Sequence, residues 1–125
     1  MLARTREEAE LIPRSYLSSI EKSKEKARKL LKKLVAVEQT NYIIVGFLED
    51  VGVDRLFQSK QPFCKLILKK GVRFSLTGNF ENKMGDIEMI FVNKAESILS
   101  PEELQDKHSR IFHEVQIKQG RGEWW

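Results

Sequence analysis

Residues 63–77 run Phe63-Cys64-Lys65-Leu66-Ile67-Leu68, then Lys69-Lys70-Gly71, then Val72-Arg73-Phe74-Ser75-Leu76-Thr77. Val72, Phe74 and Leu76 alternate with Arg73, Ser75 and Thr77, the period of a strand with one wet face. The first six residues are apolar enough for a second strand, and Pro62 bars a helix from running into them. The spacing therefore predicts two strands, 63–68 and 72–77, around a Lys-Lys-Gly connection. Val72, Phe74 and Leu76 are expected to be buried together, with the intervening side chains more exposed. Downstream, Gly78–Gly85 reads as a polar turn and Ile87–Val92 as a further strand, with Ile87, Met89 and Phe91 on one face. Together these segments imply an antiparallel meander.

Upstream, Asn41–Leu48 is a nearly unbroken apolar run containing Tyr42, Ile43, Ile44, Val45 and Phe47. It suits a strand buried on both faces, although a run this short fits a buried helix too. Glu49–Lys60 reads as a connection, with a helical turn expected at Asp54–Gln58. Before it, Tyr16, Ile20, Ala27, Leu30, Leu31 and Leu34 recur at helical spacing, which predicts a helix over about 16–37. Thr5 with Glu8 forms a capping-box pattern for a shorter helix ending before Pro13, so 1–15 is expected to be a loosely packed helical arm. Near the other end, Ser100-Pro101-Glu102-Glu103 is the clearest local signal: a capping serine, a proline fit for the first helical position, and a glutamate able to return the bond. A short helix should run to about Arg110, with 111–118 either its continuation or a last strand. The fold class is α+β: an N-terminal amphipathic basic helix, a mostly antiparallel sheet of four to five strands, and a short capped helix near the C-terminus, in one domain over 1–125.

The sequence holds 125 residues, 41% hydrophobic and 32% charged, within the range of chains that fold around a core. It has no apolar run of the length that crosses a membrane. Met1–Glu10 lacks the apolar centre of a secretory leader, and Cys64 has no second cysteine to pair with, so a cytoplasmic protein is expected. The net charge of +4 is unevenly placed: residues 1–39 hold ten basic and six acidic side chains, while the remainder balances. The surplus concentrates in Glu21–Lys33, and on a helix Lys22, Lys26, Lys29 and Lys33 would form one face. Such a face displaces counterions from a polyanion, whereas a solvated helix face is the commoner use of the same pattern.

The expected function is thus a non-enzymatic binding or regulatory module, engaging nucleic acid or another anionic partner through Lys22, Lys26, Lys29 and Lys33, with no cofactor. Arg73, Phe74 and Phe80 add a weak aromatic-and-basic interleaving, although Phe74 alternates as a core residue would. An alternative is a protein–protein adaptor or self-associating subunit that uses the sheet edge and the adjacent Trp124 and Trp125 as aromatic anchors. A third reading, a metal-dependent nuclease, would place Asp86 and Glu88 beside Gln116 and Lys118, a degenerate match to an acid-and-lysine strand pattern. His108 and His113 are five apart and would not share a helical face, which argues against zinc. Cys64 sits in an apolar strand, where a buried thiol is the ordinary reading.

Overall fold

The computed structural model describes residues 14–55 and 62–122. In chain order these form α1 (Arg14–Lys29), β1 (Leu34–Glu38), β2 (Tyr42–Arg55), β3 (Pro62–Ser75), β4 (Phe80–Val92), a 3-10 turn (Ala95–Ser97), β5 (Ile98–Leu99), α2 (Pro101–Lys107) and α3 (Ser109–Gly120). The strands join in the order β4-β3-β2-β1-β5, with every neighbouring pair antiparallel. The fold is α+β. Of the expected arm over 1–15, residues 1–13 lie outside the described residues and Arg14–Ser15 open α1; of the expected turn at Asp54–Gln58, 54–55 belong to β2 and 56–58 lie outside the described residues.

Apolar side chains cover both faces of the sheet. On one face α1 sets Ile20, Ser23 and Ala27 against the sheet at helical spacing. Val35, Val37, Ile44, Leu66 and Leu68 meet Ala27 there. On the other face Leu104, Ile111 and Val115 of α2 and α3 pack on Ala36, Val45 and Phe74. The alternation within β1 explains the division, since Val35 and Val37 point to α1 while Ala36 points to the C-terminal helices.

The helix expected to reach residue 37 stops at Lys29. Apolar spacing continues through Leu30, Leu31 and Leu34, but Lys32 takes a left-handed backbone with φ of 67°. Its N–H donates to the Leu48 carbonyl at 2.7 Å, and the Leu48 N–H returns to the Lys33 carbonyl at 3.0 Å. Val35 and Val37, stiff at the first side-chain torsion, then fit the pleat of β1 opposite β2. The apolar run 41–48 is a strand, and it extends through the expected connection as far as Arg55.

Residues 63–68 and 72–75 belong to a single strand, not to two strands around a turn. Lys69-Lys70-Gly71 is a bulge, with Lys70 at φ of 56°. The extra residue reverses the strand's facing: Cys64, Leu66 and Leu68 point to α1, whereas Val72 and Phe74 point to the C-terminal helices. Against β2 the extra residue falls between the Val45–Val72 and Phe47–Lys69 pairs, and β2 carries an extra residue of its own between Leu48 and Asp50. Close strand contact there leaves no space for side chains. A Cβ at Gly46 would lie 3.0 Å from the Lys69 carbonyl oxygen, and one at Gly71 would lie 2.5 Å from Ile87 Cδ1.

Val72 and Phe74 are buried as expected, but Leu76 is 46% exposed, because β3 ends at Ser75 and Leu76 opens the turn to β4. That turn is tighter than 78–85, since β4 begins at Phe80. Among the described side chains of β4, Ile90 and Val92 are buried and Ile87 is partly covered. A register shift lies opposite Leu66–Leu68, and the side chain of Met89, expected on one face with Ile87 and Phe91, lies outside the described ones.

The capping box forms as expected. Ser100 Oγ accepts the Glu103 N–H at 3.2 Å, and the Ser100 N–H donates to Glu103 Oε1 at 3.2 Å. Residues 111–118 continue as helix in α3, after a break at His108. Ser100→Ala is expected to lower the unfolding free energy by about 1 kcal/mol, read from urea denaturation. A loss below the error of that measurement would mean that α2 is held by its packing alone.

Candidate nucleic-acid interface

Three separated segments bring lysines together. The turn after α1 supplies Lys32, the bulge of β3 supplies Lys69 and Lys70, and β2 runs between them with Phe47 and Glu49. These five residues line a depression of about 300 Å³. Phe47 faces Leu34 on β1 and Lys69 on β3 across the ladders. Its half-buried ring packs against the cluster beneath the C-terminal helices and also lines the depression.

The backbone holds two of the lysines in a costly conformation. Lys32 and Lys70 are the non-glycine residues with positive φ among the described residues. Left-handed backbone costs a residue with a Cβ about 1–2 kcal/mol, and such positions cluster at functional sites. Here both occur around one depression. The Lys70 N–H points to Asp86 Oδ1 at 3.4 Å, which ties the bulge to β4.

Glu49 is the acid in this basic ring. Its Oε1 takes Lys32 Nζ at 2.5 Å and has Lys69 Nζ at 3.9 Å. The hydrogen bond from Lys32, aided by the charges of Lys32 and Lys69, holds its carboxyl below the usual range despite an opposing effect of burial. It is therefore ionised at neutral pH, and the five residues together carry an excess of positive charge. Lys29 and Lys33 stand exposed in the adjacent chain.

The four lysines expected to form one face are placed differently from one another. Lys22 and Lys29 are exposed on α1, and Lys33 is exposed beyond the helix end. Lys26 is engaged within the fold: its Nζ donates to Glu103 Oε2 at 2.8 Å and to the Ala95 carbonyl at 3.1 Å. It clamps α1 to the chain that crosses from β4 to β5 and to the capping box of α2. Burial raises the Glu103 carboxyl, but hydrogen bonds from Lys26 and Ser100 and the Lys26 charge outweigh it, so the group stays below its usual range. Trp124 and Trp125 lie outside the described residues.

The remaining candidates are dispersed. Phe74 is buried with its ring edge-on to Phe80, while Arg73 stacks over Tyr42 at 3.9 Å. Lys118 Nζ sits 4.3 Å from the Phe80 ring centre, at the start of β4, whereas Asp86 lies six residues further along that strand. Gln116 is exposed on α3, so it and Lys118 are on a helix and not on a strand beside Asp86 and Glu88. No group of three His, Cys, Asp or Glu side chains is placed to hold a metal ion among the described residues. His108 Nε2 lies 3.5 Å from Glu38, and His113 is exposed. Burial pushes the Cys64 thiol up to about 11, with Lys24 and Arg28 opposing, which makes it a poor nucleophile.

A larger depression of about 490 Å³ includes Glu38, Lys94, Glu96 and Lys107 in its lining. Its charges are mixed, and Glu38 already pairs with Lys107 at 3.6 Å and with His108. No helix of the described residues is long and apolar enough to cross a membrane. Compared with family models, curated proteins and solved structures, the chain matches none.

Proposed function

We propose that this protein is a non-catalytic binding module that holds nucleic acid at the basic depression between the turn after α1 and the bulge of β3. The observation that carries this reading is the gathering of Lys32, Lys69 and Lys70 from distant segments around one half-buried aromatic ring. Ammonium groups neutralise backbone phosphates and release their condensed counterions, which favours binding in proportion to the number of contacts. An aromatic ring among the cations adds a surface on which a base can stack. Exposed Lys33, next to Lys32 in the chain, adds to the positive charge there, whereas α1, with exposed Lys22 and Lys29, packs on the sheet face opposite Phe47. Lys26 serves to hold the fold together and contributes to the surface through that role.

A titration of labelled oligonucleotides into the whole protein at several salt concentrations tests this reading. The logarithm of the affinity should fall linearly with the logarithm of salt, with a slope of roughly −2 to −3 for three or four phosphates of a single strand. Binding that ignores salt, or no binding at low ionic strength, overturns it.

A further inference from the structure

We infer that Glu49 is a built-in competitor for phosphate: its carboxylate occupies Lys32 and Lys69 in the free protein, and a bound strand must displace it. This inference rests on the nucleic-acid reading above and adds to it the residue that limits affinity. Lys32 and Lys69 come from different segments of the chain, yet their ammonium groups converge on one oxygen. Glu49 Oε1 has Lys32 Nζ at 2.5 Å and Lys69 Nζ at 3.9 Å. A carboxylate and a phosphodiester each present negatively charged oxygens to the same ammonium donors. A lysine whose charge is already offset attracts a phosphate less strongly, and the nearby carboxylate repels it. Glu49 is ionised at neutral pH and lines the depression with both lysines and Lys70, so it lowers the local positive surplus by one charge.

The fold does not depend on these side-chain contacts. The turn after α1 is fixed by its backbone, through the Lys32 N–H on the Leu48 carbonyl and the Leu48 N–H on the Lys33 carbonyl. Lys69 is held in β3 by the ladder, opposite Phe47. The Lys32 and Lys69 side chains are 67% and 54% exposed, and ion pairs that open to water contribute little to stability. What remains is the effect of the carboxylate on an incoming anion. A lone carboxylate on another protein would exchange like for like with Glu49 and gain nothing. A run of phosphates brings condensed counterions to release and several contacts at once, and so outcompetes it. Glu49 thereby sets a threshold that favours a polyanion over an isolated acid.

The experiment titrates a labelled single-stranded oligonucleotide of mixed sequence with the full chain, by anisotropy, over a series of salt concentrations. It compares the unaltered protein with Glu49→Gln and Glu25→Gln. Glu49→Gln keeps the size of the side chain and removes its charge. It should steepen the salt slope by about 0.7, the contribution of one further phosphate of a single strand. With equal affinity at 1 M salt, that corresponds to a gain of about fivefold at 0.1 M. Glu25 is exposed on α1, which packs on the sheet face opposite Phe47. Glu25→Gln changes the net charge by the same amount, and salt screening across the sheet should keep its affinity within about twofold of the unaltered protein. Thermal melting checks that the variants fold, and Glu49→Ala, which also removes the charge, takes the place of Glu49→Gln if that variant does not. An unchanged or shallower slope on loss of the Glu49 charge, or an equal gain in Glu25→Gln, overturns this inference and leaves the nucleic-acid reading standing. No binding by either the unaltered protein or the Glu49 variant removes both together.

Discussion

Alanine in place of Phe74 is expected to lower the unfolding free energy by about 3–5 kcal/mol, the usual cost of emptying a buried phenylalanine site. Phe74 is fully buried and lies in the cluster that joins β3 to Leu104, Ile111 and Val115 of the C-terminal helices. Its ring meets Phe80 edge to face at 6.2 Å, so truncation removes an aromatic pair along with apolar contact. The helices cannot easily close the gap, because α2 is anchored by its capping box and by Lys26. Phe80→Ala provides the control. That ring is 42% exposed, and its loss should cost markedly less. Urea denaturation of both variants gives the comparison. If the Phe74 variant lost no more than the Phe80 variant, the C-terminal helices would not be secured to the sheet through this position.

The second large effect concerns binding. Replacing Lys32, Lys69 and Lys70 together by glutamine should flatten the salt dependence for a single strand by about 2, since each phosphate contact contributes roughly 0.7 to the slope. With equal affinity at the 1 M extreme, that difference corresponds to a loss of about 100-fold at 0.1 M salt. Stability should change little, because exposed charges contribute little to folding. The contrasting variant replaces Lys22, Lys26, Lys29 and Lys33. It should lose stability as well as affinity, because Lys26 gives up its ion pair with Glu103 and its bond to Ala95. An unchanged salt slope in the triple variant would move the contact surface away from the depression and back to the exposed face of α1.

The parts of this fold that could be read from the sequence are those set by neighbours in the chain. The Ser100–Glu103 box needs only four residues, and the Val72–Phe74 alternation only three, so each was available without knowledge of the partner strands. Leu76 continued the alternation but fell in a turn, where the pleat no longer dictates facing. The end of α1 was hidden because Leu30, Leu31 and Leu34 keep helical spacing. What stops the helix is the pairing of Lys32 and Lys33 with Leu48, which is a tertiary event. The bulge was hidden for a related reason. A hairpin turn and a bulge both use a left-handed residue beside glycine, so Lys69-Lys70-Gly71 is locally consistent with either. The continuation of β2 to Arg55 is what keeps β3 straight and makes the triplet a bulge. The depression combines residues 32, 47–49 and 69–70, and no local period connects them. Its available signal was the surplus of lysine in Glu21–Lys33, which pointed to a partner class without locating the site. Lys26 was assigned to a solvent face because the passage of residues 93–97 beside α1 has no trace in helical spacing.

The reversal of facing at Lys70 makes β3 behave like a reading frame with two phases. Upstream of the bulge, even-numbered positions point to α1; downstream, they point to the C-terminal helices. A single residue gained or lost between Leu68 and Val72 would exchange the phases. It would turn the Arg73 guanidinium toward Leu104, Ile111 and Val115, and Phe74 toward the face that carries α1. Two residues gained together would restore the phase and merely lengthen the bulge. Natural variation in length at this point of the chain should therefore come in pairs, and the lysine-bearing bulge can grow or change its sequence while the strand on either side keeps its inside and its outside.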